Sequence, residues 1–158
     1  MLSRTADNLF WLARYMERAD FLARIVEATQ RLSALPRTYS AQGAEWESAL
    51  ESSGAAEGFH ALNDAADEAS VVDYLAFAEN NPSSIRNCLA NARTNARGVR
   101  TALTMEMWDT INGAWLELQR FEKIREAGRY DREALSGFLD FVKKASLDFD
   151  GSAYRTML

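Results

Sequence analysis

The sequence predicts an all-α fold: a single-domain antiparallel bundle of about five to seven helices with a long central N-terminal helix. Three observations predict it. Two prolines and eight glycines in 158 residues leave long helices permitted nearly everywhere. Apolar residues recur at three- and four-residue spacing through most of the chain, the period of a helix with one face in a core. No run alternates apolar and polar residues over the length of a strand. With 47% hydrophobic and 26% charged residues, the chain reads as one globular domain over 1–158.

The first helix is expected over residues 5–32, capped by Ser3 or Thr5, with Pro36 beyond its end. At about 100° per residue, Leu9, Trp11, Leu12, Tyr15, Met16, Ala19, Leu22, Ala23 and Val26 share one broad face. Phe10, Phe21, Ile25 and Leu32 form a second stripe on roughly the opposite side. Two apolar sides predict a helix packed between others.

Residues 37–80 carry Arg37 as the only base against nine carboxylates. Ser48, Ser52, Ser53, Gly54 and Gly58 interrupt the pattern. Short helices are expected near 44–51 and 58–67 with mobile connections, making 37–70 an acidic, partly mobile segment within the domain. Ser70 then opens a better helix, with Asp73 three residues on in a capping-box-like arrangement. Asn80-Asn81-Pro82 ends it, because the residue before proline avoids the helical region.

Ser83 or Ser84 caps the next helix, which runs to about residue 103 with Ile85, Cys88, Leu89, Ala92, Ala96, Val99 and Leu103 inside. Thr104 caps a helix from 105 to 121 or beyond, with Met107, Trp108, Ile111, Trp115, Leu118 and Phe121 on its apolar side. Trp11, Trp108 and Trp115 therefore read as core. Gly128 breaks the pattern. Asp131 caps a last long helix built on Leu135, Phe138, Leu139, Phe141, Val142 and Leu147. Residues 149–153 read as a turn.

Several functional classes are excluded. Cys88 is the single cysteine, so no disulfide framework exists within the chain. The N-terminus carries charge where a signal peptide needs its apolar run, and no window holds eighteen apolar residues, so a cytoplasmic setting without a membrane span is expected. A net charge of −5 gives no general attraction to nucleic acid or anionic membrane. His60 is the only histidine, which leaves a histidine-based metal cluster or Ser-His-Asp triad without parts. No GxxxxGKS/T or GxGxxG motif is present, and with one histidine the pair of Glu-x-x-His motifs of a di-iron bundle is missing, so no cofactor is expected.

Two constellations remain. Arg14, Glu17 and Arg18 lie on the first helix with Phe10 and Phe21 flanking Glu17 on the same side. They read either as a salt bridge at the edge of the core or as a site where a partly dehydrated arginine binds a carboxylate or phosphate bidentately. An enzymatic reading would make Glu17 a general base; no residue is otherwise assigned a catalytic role. The second constellation is the helix after Ser84, which holds Arg86, Arg93, Arg97 and Arg100 and no acid. Asn95 lies between Arg93 and Arg97 in sequence. This stretch reads as an anion-binding or partner-docking face, or as bases neutralised internally by the 37–80 segment, Glu106 or Glu117.

Three stretches resemble a known family. They are Met1-Leu2-Ser3-Arg4-Thr5-Ala6-Asp7-Asn8-Leu9-Phe10-Trp11 with Arg14-Tyr15-Met16-Glu17-Arg18-Ala19; Asn81-Pro82-Ser83-Ser84-Ile85 with Ala92-Arg93-Thr94-Asn95-Ala96-Arg97-Gly98-Val99-Arg100, Glu106-Met107-Trp108 and Asn112; and Gly151-Ser152-Ala153-Tyr154-Arg155-Thr156-Met157-Leu158. Together they resemble the bacterial alpha-E domain family, named for a helical domain with a Glu-Arg motif. Members resembling this chain have glutamate where Thr94 stands. Members are typically about twice as long, so the resemblance implies the N-terminal half of a longer domain. It also implies association with ATP-grasp amide-bond ligases, as an accessory partner rather than a catalyst. The alternative is a self-assembling helical scaffold, a homo-oligomer in which a second copy covers the two-sided first helix.

Overall fold

The computed structural model describes residues 2–36, 43–129 and 131–157. Seven α-helices account for most of them, and no strand occurs among the described residues. They are α1 (Leu2–Ser33), α2 (Ala44–Ser52), α3 (Ala56–His60), α4 (Glu68–Val72), α5 (Ile85–Gly98), α6 (Met105–Glu126) and α7 (Arg132–Met157). None is long and apolar enough to cross a membrane.

The four long helices form an antiparallel ring in which α1 packs on α5 and α7, and α6 closes the other side against both. Cross-helix contacts fix the directions. Asn8 near the start of α1 lies against Gly98 at the end of α5, while Glu27 near the end of α1 pairs with Lys143 in the first half of α7. Arg86 Nε donates to Glu122 Oε1 over 2.9 Å between opposite ends of α5 and α6. Arg155 of α7 reaches back 2.5 Å to Glu106 at the start of α6. The core between them takes Leu12, Met16, Leu22 and Val26 from α1, Leu89 and Ala92 from α5, Ile111 and Leu118 from α6, and Leu135 and Val142 from α7. Each is the inward product of three-four spacing.

The caps follow the local chemistry of the sequence. Ser84 Oγ accepts from Asn87 N–H at 3.1 Å, Thr104 Oγ1 from Met107 N–H at 3.1 Å, and Asp131 Oδ1 from Ala134 N–H at 2.7 Å. Gly128, at φ 69°, ends α6 in the left-handed conformation that glycine adopts without a Cβ penalty.

The structure corrects several expectations: α5 ends at Gly98 rather than near 103, α3 covers Ala56–His60 rather than 58–67, and Leu147 and Trp11 are exposed rather than inside. The first helix begins at Leu2, so Ser3 and Thr5 lie inside it rather than capping it. Asp67, not Ser70, caps α4: its Oδ1 accepts from Ser70 N–H at 2.9 Å. Residues 149–153 are not a turn but part of α7, where buried Phe149 and Ser152 and the Arg155–Glu106 pair hold the last turns. The second stripe of α1 is not packed between helices: Phe10 is 56%, Phe21 50% and Leu32 54% exposed, with only Ile25 partly covered. The ring puts both neighbours of α1 on its first face and its flanks, so periodicity identified an apolar stripe without saying what would cover it.

Of the acidic stretch, residues from Gly43 onward are described and 37–42 lie outside the described residues. Trp46, Ala49, Leu50 and Phe59 are buried, so α2 and α3 are packed onto the bundle rather than merely linked to it. After α4 the backbone widens into one π-helical turn, Asp73–Phe77. Buried Asn81 compensates nearby, donating from Nδ2 to the Tyr74 carbonyl at 2.9 Å and accepting from Ser83 N–H at 3.1 Å. Asn87 Nδ2 secures the same loop at the carbonyls of Asn81 (2.7 Å) and Glu79 (2.9 Å). The π-turn brings Phe77 onto Phe121 and Phe138, 5.4 Å from each ring centroid, and those two rings stack 4.8 Å apart. Such pairs contribute about 0.5–1.5 kcal/mol each beyond their buried area.

Candidate functional site

The first constellation sits on the outer side of α1. Arg14 Nη1 donates to Glu17 Oε2 at 2.9 Å, one helical turn apart, and both side chains are more than half exposed. With Arg18 and Phe21 they line an open recess of about 380 Å³. Asp20 joins them: its Oδ2 accepts from Arg24 Nε at 2.9 Å, while its Oδ1 is buried without a hydrogen-bond donor. Asp150 comes across from α7. Partial burial, then the neighbouring charges of Glu17 and Asp20, raise its carboxyl above the usual range. Sequence spacing could not join Asp150 to this group, because the two lie on different helices.

Arg18 has a different surrounding. It is half-buried on the flank towards α5 and lowers the thiol of Cys88 slightly, against a burial that pushes that thiol up to about 11. Cys88 is fully buried, with its thiol hydrogen directed at the Ser83 carbonyl, and serves packing.

The second constellation lies along the seam of α5 and α6. Arg86 is neutralised by Glu79 at 3.1 Å and Glu122 at 2.9 Å. The other three are not. Arg93 Nε donates to Asn112 Oδ1 at 3.0 Å, and its guanidinium sits 5.9 Å from the Trp115 ring centroid. Arg100 lies 4.8 Å over Trp108. Arg97 is exposed, and none of Arg93, Arg97 and Arg100 pairs with a carboxylate among the described residues. Glu106 and Glu117, the acids within reach in sequence, are taken by Arg155 and Arg120. Trp108 and Trp115 are thus only partly buried. Their spacing with Asn112 on α6, steps of four and three, is the signal for this seam, legible only once the antiparallel register is known.

Asn95 does not join the arginines. It stands about 200° from both Arg93 and Arg97 around α5, and its Nδ2 donates to the carbonyl of Asn91 in its own helix at 2.8 Å. The two constellations do not merge either: one is on the outer side of α1, the other on the α6 side of α5. His60 stands apart from both, beside Glu47. No group of three or more His, Cys, Asp or Glu among the described residues is arranged to hold a metal ion.

An antiparallel helical bundle with a charged, partly apolar outer helix is the class of protein these features define. The chain belongs to the Alpha-E family, described as "a predicted alpha-helical domain with a conserved ER motif", whose model matches residues 1–158. The single Glu-Arg dipeptide of the sequence is Glu17-Arg18, so the motif of that description falls on the outer constellation of α1. Comparison with curated proteins found no match, and neither did comparison with solved structures.

Proposed function

We propose that this chain is a non-catalytic helical partner protein whose α5–α6 seam docks an acidic segment of another protein. The observation that supports this reading is the set of Arg93, Arg97 and Arg100, unmatched by carboxylates among the described residues of a chain of net charge −5. Trp108, Asn112 and Trp115 hold Arg93 and Arg100 in place, so little side-chain entropy remains to be lost when a carboxylate arrives. Arginine forks are suited to bidentate carboxylate recognition. A catalytic reading of Glu17 has less support, since its carboxylate is exposed and paired with Arg14 rather than dehydrated.

The family resemblance suggests the partner: an ATP-grasp amide-bond ligase. The test is affinity capture from the native cell lysate, comparing the wild-type chain with an Arg97→Glu/Arg100→Glu variant. Recovery of an ATP-grasp ligase in near-equal amount by the wild type, and at least about tenfold less by the variant, is expected; tenfold corresponds to about 1.4 kcal/mol. Undiminished recovery by the variant would remove the seam from the interface.

A further inference from the structure

The outer stripe of α1 is complementary to its own reverse. From Asp7, steps of three and four residues lead through Phe10, Arg14, Glu17, Phe21 and Arg24 to Ala28, which is the a/d seam of a two-stranded coiled coil. The order is mirror-related about the midpoint between Tyr15 and Met16. Arg14 mirrors Glu17, Phe10 mirrors Phe21, and Asp7 mirrors Arg24. In an antiparallel seam, a positions stack against d positions. A two-fold axis through that midpoint therefore sets every residue of the stripe against its mirror in a second copy.

We infer that this face binds a second copy of the chain in that register, making an isologous dimer with two α1 helices antiparallel at its centre. Phe10 then packs on Phe21 of the second copy at both ends of the seam, burying the rings that the monomer exposes. Arg14 meets Glu17 of the second copy in the middle, so the intrahelical pair at 2.9 Å becomes half of a four-member network. Asp7 meets Arg24 of the second copy at the flank. A parallel pairing would set Arg14 on Arg14 and Glu17 on Glu17, and is disfavoured by the same charges. The surface of α7 widens the patch. Leu147 and Tyr154 are exposed on the stripe that also carries Lys143 and Asp150, the side of α7 turned to α1. A partner of uniform charge gains nothing from the alternating order, whereas the stripe's own reverse matches it at each layer. The inference is independent of the α5–α6 docking surface and uses none of its residues.

Light scattering on the full chain at micromolar concentration tests it. The wild type is expected at twice the chain mass. Arg14→Glu alone and Glu17→Arg alone place like charges across the seam and are expected at single mass, with unchanged helical circular dichroism. Their equimolar mixture restores opposite charges in each central layer and is expected to return to double mass. A monomeric wild type, singly substituted chains that stay dimeric, or a mixture that stays monomeric would each overturn the register. A second readout leaves the charges alone. Residues 10 and 21 are about 16 Å apart along one helix, too far to bridge within a chain. Phe10→Cys/Phe21→Cys is therefore expected to oxidise to a covalent dimer and Phe10→Cys alone to remain uncrosslinked; failure of the double variant to crosslink would also overturn the proposal.

Discussion

His60 Nε2 and Glu47 Oε1 lie 2.6 Å apart, joining α3 to α2. That hydrogen bond favours the imidazolium and raises the His60 pKa above its ordinary 6.5. Because the folded value is the higher one, the stabilisation is fully present below 6.5 and is lost as pH rises through the raised value. His60 is the only histidine, so its ring resonances in an NMR titration are unambiguous. The midpoint should lie above 6.5, and Glu47→Gln should bring it down; an unmoved midpoint would exclude Glu47 as the cause. Cys88 makes the opposite kind of residue-level statement. Burial pushes its thiol up to about 11, so almost none is thiolate near neutrality. A thiol reagent such as DTNB at pH 8 should label the native protein far more slowly than the unfolded one. Rapid stoichiometric labelling of the native chain would mean that the α1–α5 seam opens readily.

Within the elements, glycine gives the clearest contrast. Gly113 in α6 and Gly137 in α7 sit in helix interiors with open space where a Cβ would go. Alanine there removes unfolded-state freedom without a clash, so Gly113→Ala and Gly137→Ala should each raise stability by about 0.5–1 kcal/mol in urea denaturation. Gly58 in α3 should respond in the opposite direction. A Cβ there would collide with the Tyr74 hydroxyl, and the ring is held edge-on against Phe59. The clash outweighs the propensity gain, and Gly58→Ala should lower the denaturation midpoint; a rise would show that Tyr74 moves aside at little cost. These sites also show what the sequence could and could not say. Caps such as Ser84, Thr104 and Asp131 were legible because a cap is a local bargain between one side chain and an N–H two or three residues on. The π-turn at Asp73–Phe77 was not, since its partner Asn81 acts from outside the helix. Residues 149–153 read as a turn, but the packing of Phe149 and Ser152 overrides the one weak helix former among them, Gly151. Arg93 and Arg100 were legible as an unusual cationic run, while the tryptophans that hold them required knowledge of how α5 and α6 meet.

At the scale of the whole molecule, the α1–α7 seam changes electrostatic sign along its length. At one end Lys143 bridges Glu27 and, at 3.1 Å, Asp140. At the other, Asp150 faces Glu17 and Asp20. Its raised pKa means that the folded chain holds that proton more tightly than the unfolded chain does. The ionised form therefore weakens the fold, and this contribution grows as pH rises from 3.8 through the raised value. Asp150→Asn removes a partly buried charge and with it the repulsion from Glu17 and Asp20. It should raise the urea midpoint at pH 7, with the electrostatic part of that gain fading as pH falls towards 3.8, where the wild-type carboxyl takes up its proton. Asp140→Asn, on the same helix but beside a cation, removes an attraction and should lower the midpoint at pH 7 instead. The two variants delete the same charge from the same helix, so opposite signs can arise only from where each carboxylate meets the seam. Shifts of the same sign would mean that helix propensity or net charge governs both positions rather than the α1–α7 contact.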